Sequence, residues 1–325
     1  MRLERCMIWD AGKNEYTHEK TFGAYPFLVP YIHEDEVKRP AVLVVPGGAY
    51  RFVSPTEGEP VAEKFYERGY QAFVVTYTTN MLGISPVGKQ ALNDLARAVR
   101  YIRYNKEKFR VMEDRVAICG FSAGGHAAAS LCVHFDDVPD ADPRFRDIPA
   151  RPDLSILSYP VISGDISFTH RESIEMLLGK ERTEEEILYA SNEKNVKADT
   201  PPAFIWHTFD DATVPVRNSF EYAQALREKD IPVALHVFTS GVHGLATADG
   251  NSAVTEDNAY TYGPLRALKR ALEEEKIRPE ELDGAEDTIR RLDGQLSRVD
   301  NDTAVRNREA EVWTDLADQW MRNMW

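Results

Sequence analysis

Val116-Ala-Ile-Cys-Gly-Phe-Ser-Ala-Gly-Gly-His-Ala-Ala-Ala-Ser-Leu131 is the stretch from which the fold can be read. It opens with a short apolar run, 116–119, of the kind that forms a strand buried on both faces. It turns through Gly120-Phe-Ser122-Ala-Gly124 and continues in small residues that predict a helix over about 123–133. Strand, G-x-S-x-G, helix is the setting that lifts a serine hydroxyl above a sheet edge on a sharp, strained turn. Gly120 and Gly124 keep side chains out of the crowded turn, and Ala127 and Ala128 let the helix lie close to the strand. The five-residue pattern is short enough to arise by chance, so the rest of the chain must supply the partners of Ser122.

On either side, apolar runs alternate with helical patterns. Strands are predicted at 41–45, 71–76, 154–159, 203–208 and 232–238, which with the central run makes six. Helices are predicted over about 59–68, 90–105 and 217–229, with broken helix between 170 and 195. Apolar strands alternating with helices indicate an α/β fold: a mostly parallel central sheet with helices on both faces. Phe27-Leu-Val-Pro-Tyr-Ile32 also looks extended, and its Pro30 suits an edge strand. The Pro- and Asp-rich segment 136–152 reads as a long surface loop. Arg97, Arg100 and Arg103, at helical spacing, read as a solvated face.

The 325 residues are long enough for one sizeable domain. A single domain over 1–325 is expected, with a charged helical insertion at about 250–310. Within it, 262–308 should form two exposed helices, the second starting near Pro279-Glu-Glu-Leu282. A last amphipathic segment, 311–320, puts Val312, Trp313, Leu316 and Trp320 on one stripe that should dock on the sheet as a closing helix.

Composition is that of a globular protein, with 43% hydrophobic and 28% charged residues. The formal net charge of −14 leaves no surplus of Lys and Arg to neutralise a phosphate backbone, so nucleic acid is excluded as a partner. The three cysteines, Cys6, Cys119 and Cys132, have no C-x-x-C spacing and suggest neither a disulfide framework nor a zinc site. No metal and no cofactor are expected. No continuous apolar segment at the N-terminus resembles a signal peptide, and no run approaches a membrane span, so the expected setting is the cytoplasm, away from membranes.

A serine hydroxyl becomes a useful nucleophile when a base takes its proton and an acid orients that base. On a sheet of this kind the partners follow the serine in the order acid, then histidine. Two histidines follow the 203–208 strand. His236 lies inside the last strand and reads as a sheet residue. His243 lies in Ser240-Gly-Val-His-Gly244, just past the end of that strand, on the edge where open α/β sheets bind ligands. The acid lies in Thr208-Phe-Asp-Asp-Ala-Thr-Val-Pro215. Successive residues leaving a strand point to different sides, so only one aspartate can reach His243; Asp211, stiffened by Val214-Pro215, is favoured over Asp210. His207 reads as a core or supporting residue. Backbone donors for an oxyanion are expected from Ala123, at the start of the helix after Ser122, and from Gly48 and Ala49 in the turn Pro46-Gly-Gly-Ala-Tyr50.

Val45-Pro-Gly-Gly-Ala-Tyr50, Glu57-Gly-Glu-Pro60, Gly120-Phe-Ser-Ala-Gly-Gly-His126, Ser158-Tyr-Pro160, Trp206-His-Thr-Phe-Asp-Asp211 with Val214-Pro215, and Gly241-Val-His-Gly-Leu245 together resemble the acetyl-esterase branch of the α/β-hydrolases. That branch includes enzymes that deacetylate xylan and xylo-oligosaccharides. The resemblance covers about 25–245 and the last helix. It implies a serine esterase that removes short acyl groups from a carbohydrate or other small ester, with Ser122, Asp211 and His243 as its triad. Ala49 departs from the branch, where a third glycine is usual, and the charged segment near 250–310 looks like an insertion. A prolyl-oligopeptidase-like peptidase shares the fold and the order of partners, but no propeller-sized domain is present. A non-catalytic binding protein on the same scaffold would be expected to have lost one of the three groups. The expected partner is a small ester, an acetylated oligosaccharide above all, and a homo-oligomer remains open.

Overall fold

The computed structural model describes residues 1–10, 26–81, 83, 85–250, 262–274, 289–290, 292–294, 296 and 305–325. Among these residues eight strands form one sheet: β1 (Cys6–Met7), β2 (Phe27–Tyr31), β3 (Arg39–Val45), β4 (Gln71–Thr76), β5 (Val111–Phe121), β6 (Leu154–Ser158), β7 (Ala203–Thr208) and β8 (Val233–Phe238), in the order β1-β2-β4-β3-β5-β6-β7-β8. The six strands from β4 to β8 in this order are parallel, and β2 joins β4 antiparallel. The chain leaves β3 toward β4 on one side and returns to β5 on the other. That reversal puts the crevice of the sheet beyond the C-terminal ends of β3 and β5. The turn 46–50 leaves one of those ends and Ser122 leaves the other.

The strands alternate between two cores, as a sheet covered on both faces requires. Ala41, Leu43, Val45, Val116 and Ile118 join Leu95, Val99 and Ile102 of the Gln90–Tyr104 helix, and Ala127, Ala128 and Leu131 of the Ser122–His134 helix. Val42, Val44, Ala117, Cys119 and Phe121 join Val61, Ala62 and Phe65 of the Glu59–Glu67 helix, and Trp313, Ala317 and Met321 of the Trp313–Met324 helix.

Four local expectations are corrected. β2 is not an edge: β1 pairs along it, and the Leu3 amide donates to the Pro30 carbonyl at 2.8 Å. In an antiparallel strand a residue's N–H and C=O point the same way, so the donor that proline lacks would face away from β4, and that ladder loses nothing. The arginine face is buried, with Arg97, Arg100 and Arg103 only 2%, 6% and 8% exposed. The segment 136–152 folds back over the helix and supplies acceptors. Arg97 donates through Nε and Nη2 to both oxygens of Asp140, each at 2.6 Å, and lies between the rings of Trp9 and Phe145. Arg100 donates to the Ile148 carbonyl, and Arg103 to the carbonyls of Pro149 and Arg151 and to Asp153. The closing helix docks with Trp313, Ala317 and Met321 innermost, and Val312 is exposed in the 3-10 turn before it. The Tyr262–Glu273 helix is not wholly exposed, since Leu265, Leu268 and Ala271 are buried. Residues 275–288, where the helix predicted from Pro279 begins, lie outside the described residues with most of the remaining insertion, while 289–290, 292–294 and 296 are helical and Leu292 and Leu296 are buried rather than exposed.

Candidate active site

β5 runs straight into the Ser122–His134 helix, and Ser122 between them has φ +51°, a left-handed conformation that costs a non-glycine residue about 1–2 kcal/mol. The surroundings hold it there. The Ser122 carbonyl accepts from the Val161 amide at 3.0 Å. A Cβ on Gly124 would lie 2.3 Å from the carbonyl oxygens of Val45 and Pro46, so only glycine lets the helix start this close to the end of β3.

Ser122 Oγ donates to His243 Nε2 at 2.8 Å, and His243 Nδ1 donates to Asp211 Oδ2 at 2.7 Å. The serine and the histidine are 121 residues apart in the chain. Asp211 follows β7 and its side chain is completely buried. Its Oδ1 accepts from the amides of Thr213 (2.8 Å) and Val214 (3.0 Å), while His207 Nε2 approaches Oδ2 at 3.4 Å. Burial alone would push this carboxyl up. The hydrogen bonds from His207, His243 and the Val214 amide outweigh it and hold Asp211 well below the usual carboxylate range. Asp210, exposed, points elsewhere and accepts from the Gly241 amide at 2.7 Å, bracing the loop that carries His243.

That loop is fixed from several sides. Thr208 Oγ1 donates to the Gly241 carbonyl, Asn307 Nδ2 to the Ser240 carbonyl, and Trp313 Nε1 to the Ala246 carbonyl at 2.9 Å. Trp313 stacks on Trp206 of β7 with ring centroids 5.3 Å apart, so the closing helix holds the histidine loop against the strand that delivers Asp211. His207 lies under the site, its Nε2 donating to the Val214 carbonyl and its Nδ1 accepting from Ser219 Oγ. His236 stays within β8 against Phe204.

Gly48 and Ala49 line a cavity of about 390 Å³ together with Ser122 and His243. Gly48 (φ +117°), Ala49 (φ +55°) and Tyr50 (φ +59°) form a tight left-handed turn. Ala123 is the second residue of the helix that Ser122 opens. Polar side chains share the lining: Arg51 donates to Glu172 at 2.7 Å, with His170, Ser54, Thr56 and Thr213 around the same cavity. Gly294 brings the charged segment to the same cavity.

Sequence reasoning left out two residues of this neighbourhood as site members, Glu57 and Tyr159. Glu57 Oε2 accepts from the Gly47 amide at 2.8 Å and Oε1 accepts from Tyr159 Oη at 2.8 Å; Tyr159 Oη in turn accepts from the Ala246 amide at 2.9 Å. An acidic residue between the turn 46–50 and the 59–68 helix was the available signal, but nothing local ties it to a tyrosine 102 residues away.

Three comparisons bear on this arrangement. The BD-FAE family model matches residues 29–226. Endo-1,4-beta-xylanase B of Butyrivibrio fibrisolvens is 50% identical over 242 residues, 74% of this chain and 38% of that protein. The acetylxylan esterase of Xylanibacter ruminicola is 32% identical over 224 residues, 67% of this chain and 43% of that protein. The chain thus spans less than half the length of these curated relatives. Among solved structures, an acetyl ester-xyloside bifunctional hydrolase from Caldicellulosiruptor lactoaceticus superposes with a TM-score of 0.70 at 33% identity, over 83% of this chain and 96% of that one.

Proposed function

This chain belongs to the BD-FAE family of α/β-hydrolases, and we propose that it is a serine esterase that removes acetyl groups from xylan-derived sugars through an acyl-enzyme. The observation that carries the reading is the unbroken Ser122–His243–Asp211 chain, at 2.8 and 2.7 Å, opening on a cavity lined by Gly48 and Ala49. The likeness to the acetylxylan esterase and to the acetyl ester-xyloside hydrolase supports the substrate class.

In the proposed reaction Ser122 Oγ attacks the acyl carbon while His243 Nε2 takes its proton. Asp211 keeps the other imidazole proton on Nδ1 and stabilises the cation that forms. Because Glu57 already occupies the Gly47 amide, the amides of Gly48 and Ala49, with that of Ala123 at the helix start, are the donors available to the oxyanion. His243 then returns its proton to the departing sugar oxygen. Water, deprotonated by the same imidazole, cleaves the acyl-serine and releases the carboxylic acid. The Ala49 methyl in the cavity lining favours a small acyl group, and the Arg51–Glu172 pair favours a hydroxyl-rich alcohol.

The test is hydrolysis of acetylated xylo-oligosaccharides and of p-nitrophenyl acetate by the parent and by Ser122→Ala, with phosphonate labelling mapped by mass spectrometry. The parent should hydrolyse both esters and carry the label on Ser122, and the variant should retain well under a hundredth of the activity. A variant with a tenth or more of the parental kcat, or a label elsewhere, would overturn the reading.

A further inference from the structure

We infer that Glu57 is a positioning residue for the reaction, clamping the turn 46–50 and the histidine loop onto Ser122 through its two carboxylate oxygens. The inference rests on the serine-esterase reading. Glu57 sits in a 3-10 turn, Pro55–Glu57, ahead of the Glu59–Glu67 helix, and is 4% exposed although it lines the reaction cavity. A buried carboxylate is costly unless its oxygens are satisfied, so its retention beside the nucleophile calls for a cause.

The two oxygens work in different directions. Oε2 holds the Gly47 amide, and a Cβ built on Gly47 would lie 2.9 Å from Ser122 Cβ and 2.7 Å from the Phe121 carbonyl. The turn is thus pressed against the nucleophile, and Glu57 sets its height. The next two residues are the proposed oxyanion donors Gly48 and Ala49. Oε1 holds Tyr159 Oη, whose oxygen accepts from the Ala246 amide, three residues beyond His243. The Tyr159 ring meets the imidazole of His243 edge-on, with centroids 4.9 Å apart. Tyr159 itself has φ +36°, a strained conformation that its burial and these hydrogen bonds sustain. One carboxylate therefore ties together the oxyanion turn, the segment after β6 and the loop after β8, which lie far apart in the sequence.

Both oxygens must be acceptors at once, which a carboxylate achieves and an amide does not. In Glu57→Gln the carbonyl can serve the Gly47 amide or the Tyr159 hydroxyl, and the –NH₂ then faces the other. The oxyanion turn or the tyrosine loses its register while the shape of the side chain is kept. Removing an oxyanion donor outright costs about 10²–10³ in kcat; displacing the turn should give a fall of about 30- to 100-fold.

The experiment measures kcat and KM for p-nitrophenyl acetate, per active site titrated with a phosphonate, in the parent, Glu57→Gln, Tyr159→Phe and the double variant. An interaction made in the transition state lowers kcat and kcat/KM together and leaves KM unchanged. The expected result is that fall in kcat per titrated site for Glu57→Gln, a smaller fall for Tyr159→Phe, and a double variant no worse than about threefold below Glu57→Gln, because the two act through one network. Turnover per titrated site within threefold of the parent, or full multiplicativity of the two substitutions, would overturn the inference. If Glu57→Gln does not fold, Tyr159→Phe decides: an unchanged kcat per site in that variant overturns it. A parent that hydrolyses the ester and labels on Ser122 keeps the esterase reading intact in either case.

Discussion

Asp211→Asn separates orientation of the imidazole from mere presence of a polar group. Oδ1 of Asp211 is pinned by two main-chain donors, the amides of Thr213 and Val214 at 2.8 and 3.0 Å. An asparagine must therefore keep its carbonyl oxygen there, which turns its –NH₂ toward His243 Nδ1, 2.7 Å away from the present oxygen. Donor would face donor. The imidazole escapes by moving its proton to Nε2, after which it accepts from the asparagine and can no longer take the proton of Ser122. Holding the wrong tautomer costs about 10⁴ in turnover, equivalent to roughly 5 kcal/mol in the barrier. The fold should survive, because no backbone hydrogen bond is lost. Asp210→Asn is the control: its one contact here, with the Gly241 amide, can be made by an amide oxygen, and kcat should stay within about threefold. The assay is kcat for p-nitrophenyl acetate with circular dichroism and thermal melts alongside. A loss of less than tenfold for Asp211→Asn, or a larger loss for Asp210→Asn, would refute the reasoning.

With a series of p-nitrophenyl esters, kcat/KM should fall from acetyl through butyryl to octanoyl, each unaccommodated methylene costing about 1–3 kcal/mol; a maximum at octanoyl would contradict a small acyl pocket. Arg97→Ala strands the buried Asp140 carboxylate and should cost about 3–5 kcal/mol in urea unfolding with kcat nearly unchanged, whereas a loss under 1 kcal/mol would return this arginine to the solvated surface. His126, completely buried, donates through Nε2 to the Ala190 carbonyl and accepts from Tyr50 Oη, and burial pulls its imidazole down to about 4. Because the folded value lies below the unfolded one near 6.5, the unfolded chain takes up the proton first, and stability is lost as pH falls from 6.5 toward 4. Asp94, pushed up to about 6 by burial, works in the opposite direction between about 4 and 6, so the parent's own curve conceals both. The stability difference between parent and His126→Gln isolates the histidine and should shrink by about 3 kcal/mol between pH 7 and pH 4; a constant difference would show that the imidazole is not held neutral.

The layers of this protein and the chain order of Ser122, Asp211 and His243 are legible in the sequence. Strands buried on both faces announce themselves as apolar runs, as in 41–45 and 203–206, and turns at their ends carry glycines and prolines, because both signals depend on neighbours a few residues apart. Ser122, the pair Asp210-Asp211 and His243 could be picked out because each lies just beyond such a strand. Which aspartate faces the histidine was decided by the turn after β7, where the Thr213 and Val214 amides seize one oxygen of Asp211 and aim the other. Helical spacing placed Arg97, Arg100 and Arg103 on one face, but what covers that face is a loop about 45 residues further on. The rotation of the closing helix likewise depended on Trp206, which offers Trp313 a flat partner. Glu57 and Tyr159 are ordinary residues in their own segments, and they meet only because the sheet brings the ends of β3, β5 and β6 together. Local pattern records what a segment buries; which distant group it is buried against follows from how the sheet and its helices pack.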